Sequence, residues 1–264
     1  MRGTYIGGQR MLVVTVYGGK LIIPSMDLSL SPELIISGSL ELPLTKYLIK
    51  NIKQGFTVFD IGANLGYFTV LLGMLVGPTG KVFAYEPNPY LNSLLFDNLS
   101  INYVQDRVTI SNKAVYSCIT KIPFYITKRF MGNSSINRHN DEYFKLYSDQ
   151  IDKIEIDSEP LDNYFDKFDT INLIKIDIEG GEYHAFLGMQ KLIQSETVKI
   201  IIFELNKMML QKDWCVFIQL LNKFQKSKRV IFHKLSDEGD LVPTKIDEIA
   251  KLDFCAHVVM QIRP

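Results

Sequence analysis

The residues best suited to chemistry lie in one ten-residue stretch, Val58-Phe-Asp-Ile-Gly-Ala-Asn-Leu-Gly-Tyr67. An apolar run ends at Asp60, a turn containing Gly62 and Gly66 follows, and a second apolar run begins. This order predicts a strand, a tight turn and a helix N-terminus, the place where open α/β sheets bind ligands. A carboxylate at the strand end would repel a pyrophosphate and attract a cationic amino-acid group. The stretch therefore predicts a ligand site that differs from a phosphate-binding loop.

The spacing of this turn supports the distinction. A dinucleotide fingerprint needs G-x-G-x-x-G, whereas this turn has Gly62, Asn64 and Gly66, so the middle glycine is missing. The next apolar run ends at Glu86, and an acid at that strand tip commonly accepts hydrogen bonds from ribose hydroxyls. Together these features indicate S-adenosylmethionine, which has a ribose and an amino-acid tail but no phosphate. The alternative is that Asp60 caps the next helix and Glu86 is a solvated strand end.

A second group of ionisable residues follows another apolar run, in Ile174-Lys-Ile-Asp-Ile-Glu-Gly-Gly-Glu182. Asp177 ends the predicted central strand and is expected beside Asp60 across the crevice. Lys175 lies two residues earlier and shares its face. Such groups are costly at a strand tip unless they are used or paired. Asp177 or Glu179 could orient a substrate or accept a proton; alternatively, Lys175 pairs with Asp177 and Glu182 complements a helix N-terminus.

Oxygen ligands also gather at the tip of the next predicted strand. Glu204 and Asn206 would converge with Asp177 if the two strands are neighbours. Three such ligands could hold Mg²⁺ with water completing the shell. The alternative is that they bind substrate or backbone, and the need for a divalent metal stays open.

Four other polar residues are candidates for contact with the acceptor. His184 follows the acidic segment and could act as a general base, or be an ordinary surface histidine. Ser134, Ser135 and His139 lie in an irregular region and could contact the substrate, or simply form turns.

The surrounding elements place these residues on an α/β fold. From residue 57 onward, strands alternate with helices, which predicts a mostly parallel, doubly wound sheet. The predicted elements of this part include a third strand at 107–115, strands at 173–177 and 199–204, one helix at 182–194, and closing strands at 230–235 and 255–262. The two closing strands suggest an antiparallel hairpin at one edge. Residues 1–53 are expected to form a β-hairpin and helix flank or lid, and residues 54–264 the main domain. An irregular insertion at 121–165 is expected to be a lid or substrate loop.

Composition limits the class of protein. The chain has 264 residues, 47% of them hydrophobic, and a formal net charge of zero, which argues against a nucleic-acid partner. The basic run at 226–229 is expected to complement a helix C-terminus. Cys118, Cys215 and Cys255 match no zinc or redox spacing. No apolar run has the length of a membrane span, and residues 1–10 lack the apolar core of a secretion signal, so a cytoplasmic location is expected.

Four motifs in order resemble those of the FkbM-type methyltransferases, over roughly residues 40 to 210. They are Asp60-Ile-Gly-Ala-Asn-Leu-Gly-Tyr-Phe-Thr69, Glu86-Pro-Asn-Pro89, Gly132-Asn-Ser-Ser-Ile136 and Lys175-Ile-Asp-Ile-Glu-Gly-Gly-Glu182. Gly181 departs from the family pattern, in which alanine is usual, and removes no functional group. The resemblance implies a Rossmann-like class I methyltransferase fold that uses S-adenosylmethionine.

The resemblance also implies roles for individual residues. The methionine tail would be bound by the glycine turn, at Asp60, Gly62, Ala63, Asn64 and Gly66. Glu86 would bind the ribose, Asn88 would lie near the adenosine, Ala114 would contact the adenine through its backbone, and Asp177 would face the methyl sulfonium.

Members of this family typically methylate hydroxyls of sugars, glycans, polyketides and other secondary metabolites. The resemblance therefore implies a hydroxylated small molecule or glycan as the partner, with no nucleic acid and no membrane span. The acceptor, the methylated atom and the oligomeric state, a homodimer included, stay open. The alternatives are an NAD-dependent oxidoreductase of Rossmann type and a non-catalytic cofactor-binding or interaction module; the zero net charge disfavours an RNA methyltransferase.

Overall fold

The N-terminal segment folds as a small sheet followed by two helices. The structure, a computed structural model, describes residues 2–227 and 229–263, so Lys228 of the predicted basic run lies outside the described residues. The segment comprises β1 (Gly3–Gly7), β2 (Arg10–Val14), β3 (Lys20–Pro24), α1 (Ser31–Ser37) and α2 (Leu42–Asn51). The three strands pair antiparallel in sequence order. The expected hairpin is present as β2 and β3, and β1 adds a strand that the sequence pattern did not indicate.

Strands and helices alternate over the next fifty residues. This part comprises β4 (Thr57–Ile61), α3 (Tyr67–Val76), β5 (Lys81–Tyr85), α4 (Pro89–Ile101) and β6 (Val108–Ser111). The prediction of one strand over 107–115 is wrong, because the chain leaves the main sheet after β6. Its last two residues form β7 (Ala114–Val115), which belongs to another sheet.

The insertion is an ordered three-stranded sheet with one short helix. It contains β8 (Thr120–Thr127), α5 (Asp141–Leu146) and β9 (Ile151–Glu159), with the strands ordered β7-β9-β8. The division of the chain into a flank, a main domain and an insertion at 121–165 remains a prediction.

The second half of the main sheet contains more elements than expected. It comprises β10 (Leu173–Ile176), α6 (Glu182–Leu187), α7 (Gln190–Gln194), β11 (Ile200–Asn206), α8 (Lys207–Leu210), α9 (Trp214–Lys226), β12 (Val230–Leu235), β13 (Leu241–Thr244), α10 (Ile246–Ile249) and β14 (Phe254–Ile262). The single helix expected at 182–194 is broken at Gly188, which lies so close to the carbonyl of Tyr116 that a Cβ would overlap it.

The main sheet has the strand order β13-β12-β14-β11-β10-β4-β5-β6. Neighbours from β11 to β6 pair in parallel, whereas β14 pairs antiparallel with both β11 and β12. The predicted α/β, Rossmann-like, doubly wound class is therefore confirmed. The two closing strands expected to pair antiparallel do so as β12 and β14, although β14 lies inside the sheet and the outermost hairpin is β12 with β13.

Apolar residues cover both faces of this sheet and make it the centre of three layers. One buried cluster joins the sheet to α2, α3, α4 and the N-terminal sheet, and the other joins it to α6, α7 and α9. Among residues 2–227 and 229–263, no helix combines the length and apolar character needed to cross a bilayer.

The N-terminal sheet is attached to α4 by two asparagine side chains. The fully buried Asn98 accepts a hydrogen bond from the Ile22 amide at 2.6 Å and donates to the carbonyls of Ile22 and Leu65. One turn later, the partly exposed Asn102 accepts from the Lys20 amide at 2.8 Å and donates to the carbonyls of Lys20 and Asn98. Burial is the main difference between these two similar attachments.

We expect Asn98→Ala to lower the free energy of unfolding by about 3 kcal/mol, because it leaves buried backbone groups without partners. Asn102→Ala is the matched control and should cost about 1 kcal/mol, because water can replace its side chain. Urea denaturation of both variants checks this prediction. Equal losses would contradict burial as the source of the difference.

Candidate active site

A cavity of about 290 Å³ opens at the carboxyl ends of the central strands. It lies where β4 and β10 pair, which is the switch point of the doubly wound sheet and the usual ligand site of such folds. The glycine turn after β4, the ends of β5, β10 and β11, the flank and the insertion all contribute to its wall. The cavity is therefore assembled from segments that are far apart in sequence.

The glycine turn that follows β4 contacts the ends of the two strands on either side of β4, β5 and β10. The amides of Gly62 and Ala63 both donate to the carbonyl of Tyr85, at 3.0 and 2.9 Å. Gly62 has φ +79°, and a Cβ there would overlap the carbonyl oxygen of Asp177. The turn then passes through Asn64 at φ +52° and reaches Gly66, which precedes the first residue of α3. The glycine at 62 thus allows the close approach of the two strand ends that form the cavity floor.

Glu86 is fixed by the backbone of the same turn. Its two carboxylate oxygens accept hydrogen bonds from the amides of Asn64 and Asn88, each at 2.8 Å. Burial raises the pKa of Glu86 to about 7, although the two amide hydrogen bonds oppose the rise. A carboxylate oxygen that accepts one hydrogen bond can accept a second, and Glu86 lines the cavity. Glu86 can therefore accept hydrogen bonds from two neighbouring hydroxyls.

The other predicted cofactor residues divide into two groups. Those that line the cavity are Gly62, Ala63, Asn64, Glu86, Ala114 and Asp177. Asp60, Gly66 and Asn88 do not. The side chain of Asn88 caps α4 by accepting from the amide of Tyr90 at 3.0 Å, so it positions Glu86 from behind. Ala114 reaches the cavity from β7, which precedes the insertion and pairs with its strand β9, and not from the main sheet.

A buried lysine joins the two strand ends. The ammonium of Lys175 lies 3.4 Å from Asp60 Oδ1 and 3.5 Å from Asp177 Oδ2, and it donates to the carbonyl of Gly62 at 3.1 Å. Burial lowers the pKa of Lys175, but the charges of Asp60 and Asp177 together outweigh this effect. The net pKa is raised, so the lysine stays charged. Burial also raises the pKa of Asp60, against the effects of Lys175 and of the Thr69 hydroxyl, which donates to it at 2.6 Å. The structure contains the predicted ion pair of Lys175 with Asp177. Asp177 also lines the cavity, so the pairing does not exclude its predicted role toward the substrate.

Three carboxylates form a cluster in the cavity wall. Asp177, Glu179 and Glu204 can place one oxygen each within 4.8 Å of the others, a spacing that could hold a metal ion. Asn206 does not join them; it accepts from the amide of Met209 and caps α8. Glu179 thus takes the place of Asn206 in the predicted metal set, and the metal itself remains a prediction. Burial, then repulsion between the carboxylates, raises the pKa of Glu179 and Glu204 well above the usual range.

The insertion residues differ in their relation to the cavity. Ser134 lines it and donates to the carbonyl of Met131 at 3.2 Å. Ser135 is buried outside the wall, and its hydroxyl donates to the carbonyl of Glu179 at 2.6 Å, so it ties the insertion to the acidic segment. His139 is also buried outside the wall, 2.8 Å from the carbonyl of Asn133.

His184 does not reach the cavity. Its ring stacks on Tyr116 at 4.3 Å, and its Nε2 atom lies 3.3 Å from Asp213 on the outer side of α6. Burial lowers the pKa of His184, although Asp213 opposes the shift. The structure therefore separates His184 from the carboxylates it was expected to assist.

With this geometry in place, the sequence can be compared with known proteins. Residues 60–238 match the family model of the methyltransferase FkbM domain. The chain belongs to the FkbM methyltransferase family. This membership confirms the predicted resemblance, the enzyme class and S-adenosylmethionine as the methyl donor, and it removes the NAD-dependent oxidoreductase as a candidate.

Individual relatives of this FkbM methyltransferase are distant. The methyltransferase sdnD of Sordaria araneosa is 25% identical over 170 residues, which cover 55% of this chain and 64% of that protein, so the match spans less than two thirds of the relative. The O-methyltransferase TomG of Streptomyces achromogenes, solved with S-adenosylmethionine, is 8% identical with a TM-score of 0.47, over 85% of this chain and 80% of that one. A SAM-dependent O-methyltransferase of Thermotoga maritima is 15% identical with a TM-score of 0.43, over 96% and 77%.

The residues present fit this methyl donor. Glu86 offers two carboxylate oxygens for the ribose hydroxyls, and the absence of a Cβ at Gly62 leaves room for the close turn beneath the cavity. The ten-residue helix α3 begins directly after the turn, so its N-terminus can face an anionic group such as the methionine carboxylate. The ribose and the amino-acid tail of the donor can therefore be matched by separate groups of this chain.

Sequence reasoning missed several residues of the wall. Glu41 and Leu40 come from the flank, Lys113 from the link before β7, and Phe254 and Ala256 from β14. No motif marks these residues, because the fold alone brings them to the strand ends.

We expect the affinity for S-adenosylhomocysteine to fall about tenfold between pH 8 and pH 6. The carboxylate of Glu86 is ionised above its pKa of about 7 and can then accept the ribose hydroxyls; below it, the protonated form loses an acceptor. Calorimetric titration against pH measures this change. Glu86→Gln should bind weakly with little pH dependence in this range.

Glu182 supplies the control for this prediction. It is buried outside the cavity, where burial also raises its pKa to about 7, so Glu182→Gln should keep the pH dependence. A pH dependence that disappears in Glu182→Gln and persists in Glu86→Gln would refute the assignment.

We also expect Lys175→Met to lower the free energy of unfolding by about 3–5 kcal/mol, because it leaves the fully buried Asp60 without a compensating charge. Adding Asp60→Asn to this variant should recover at least part of the loss, since both charges are then absent. Chemical denaturation of the single and double variants tests the pair. A double variant less stable than Lys175→Met would show that Asp60 needs no counter-charge.

Proposed function

We propose that this FkbM methyltransferase transfers a methyl group to a hydroxyl of a sugar, a glycan or a secondary metabolite of polyketide type. The observation that carries the proposal is the carboxylate cluster of Asp177, Glu179 and Glu204 in the cavity wall. A hydroxyl loses its proton as it is methylated, and a carboxylate beside the reacting oxygen can accept that proton. The reaction of the whole protein is part of this proposal, since the alignment with sdnD spans 64% of that protein.

Catalysis in this proposal depends on alignment and on one proton transfer. S-adenosylmethionine supplies an electrophilic methyl group on a sulfonium, and in-line displacement makes the position of the acceptor oxygen decisive. Asp177 is the proposed proton acceptor: it lines the cavity, and burial raises its pKa while the charge of Lys175 opposes the rise. Glu179 is the second candidate, held in place by the hydrogen bond of Ser135 to its carbonyl.

Another part of the cavity lining suits a partly apolar, hydroxylated acceptor. Leu30, Phe124, Met131 and Ile136 supply apolar surface from the flank and the insertion, and Ser134 supplies a hydroxyl among them. An apolar wall with a few polar groups is typical of small-molecule sites. Within the same proposal the enzyme serves biosynthesis in the cytoplasm, a location consistent with its three free cysteines.

The proposal is tested by radiolabelled methyl transfer to a panel of sugars, glycans and hydroxylated metabolites. We expect label on a hydroxyl, and we expect Asp177→Asn to slow turnover by about 10²–10⁴-fold, because the amide cannot accept the proton. Its affinity for S-adenosylhomocysteine, measured by calorimetry, should change by less than about threefold, because removing a proton acceptor affects the transition state more than binding.

His184→Gln is the matched control, since His184 lies outside the cavity. It should keep turnover within about threefold of the natural enzyme, as expected for a residue that touches no reacting group. Label found only on amines, or full activity of Asp177→Asn, would overturn the proposed reaction or the proposed base.

A further inference from the structure

The amino-acid tail of the methyl donor carries an ammonium group that needs an anion. The motif assigns this role to Asp60, but the structure buries that side chain completely. Its oxygens face the Thr69 hydroxyl at 2.6 Å and the Lys175 ammonium at 3.4 Å, and it does not line the cavity. A ligand in the cavity therefore has no direct access to the Asp60 carboxylate.

Another carboxylate reaches the same cavity from the N-terminal flank. Glu41 precedes the first residue of α2 with φ +41° and ψ +61°, a left-handed conformation that is uncommon for residues with a side chain. Glu41 lines the cavity, and its Oε2 atom lies 2.7 Å from Nε2 of His257 on β14. Glu41 and His257 both lie outside the residues that match the family model. This pair therefore comes from segments outside the part of the chain that matches the family model.

Glu41 is placed close to the start of α3, where the tail is expected. The carbonyl of Glu41 accepts from the amide of Thr45, whose hydroxyl lies 3.1 Å from the hydroxyl of Tyr67, the first residue of α3. Tyr67 and Phe68 line the cavity beside Glu41. In addition, the charge of Glu41 contributes to raising the pKa of both Asp60 and Asp177, after the larger effect of their burial. These contacts bring Glu41 close to the side chain of the first residue of α3, in the same cavity wall as the glycine turn.

The acids of the wall differ in charge. Burial and mutual repulsion raise the pKa of Glu179 and Glu204 well above the usual range, which disfavours their ionised forms and leaves Glu41 as the suitable anion. Lys175 already compensates Asp177, whereas the partner of Glu41 is an imidazole with a side chain only 11% exposed. The N-terminus of α3 can face the carboxylate of the tail, which separates the two charges of the amino acid between the helix and the flank.

We propose that Glu41 binds the α-ammonium group of S-adenosylmethionine, and that His257 is a positioning residue that holds the Glu41 carboxylate in the cavity wall. This proposal concerns binding of the methyl donor and not of the acceptor. Its tests are therefore independent of the hydroxyl specificity proposed above.

Calorimetric titration with two ligands tests this proposal. One ligand is S-adenosylhomocysteine, and the other is its analogue that lacks only the amino group. The natural enzyme should bind S-adenosylhomocysteine about 10- to 100-fold more tightly than the analogue, the range expected for a hydrogen bond between charged groups. Glu41→Gln should lose most of this difference, because the amide offers no charge.

Two further variants sharpen the test. Glu33→Gln removes an exposed acid of α1 that does not line the cavity, and it should bind both ligands as the natural enzyme does. His257→Gln should reduce the difference between the ligands by a smaller factor than Glu41→Gln, since the carboxylate remains but loses its fixed partner.

Three results would overturn the proposal. The first is equal affinity of the natural enzyme for the two ligands, a measurement that needs no variant. The second is a Glu41→Gln variant that weakens both ligands equally, which would show an effect on cavity shape alone. The third is a Glu41→Gln variant with unchanged binding and slow turnover, which would make Glu41 a proton acceptor instead.

Discussion

The cavity depends on one buried ammonium group. Lys175 on β10 faces Asp60 on β4 at the position where the two strands pair, and it reaches the carbonyl of Gly62 in the turn and Asp177 at its own strand end. A lysine only 3% exposed pays a large desolvation cost, which the two carboxylates and the carbonyl offset. These contacts of Lys175 connect the glycine turn to the end of β10, so the groups that bind ligands keep fixed positions. Asp60 serves this arrangement from inside the protein.

The charge of the wall follows from the same arrangement. Five carboxylates and two lysines line the cavity: Glu41, Glu86, Asp177, Glu179, Glu204, Lys113 and Lys175. An excess of acids in a partly enclosed site favours a cationic ligand, since charges interact more strongly where water is scarce. The methyl donor carries a sulfonium charge that the product lacks, so such a wall favours binding of the donor over the product. The raised pKa values of Glu179 and Glu204 reduce this excess.

The sequence revealed the features that depend on neighbouring residues. The glycine turn, the strand-end acids Asp60 and Glu86, and the alternation of strands and helices are local patterns, and the structure contains them all. Contacts between distant segments could not be predicted. The burial of Asp60 behind Lys175, the insertion of β14 beside β11 and the pairing of Glu41 with His257 each depend on how the whole chain packs. His184 illustrates the limit, since a helix position says nothing about which side of the helix faces the site.

The distribution of the wall between family and flank suggests how specificity is divided. The residues that fit the methyl donor, among them Gly62, Asn64 and Glu86, lie in the part of the chain that matches the family. The flank and β14, which lie outside that part, supply other residues of the wall, among them Leu30, Leu40 and Phe254. Loops and appended segments can change while the scaffold keeps the reacting groups aligned. A cavity built in this way can retain one methyl donor while its acceptor changes through the insertion and through those flank residues that do not contact the donor.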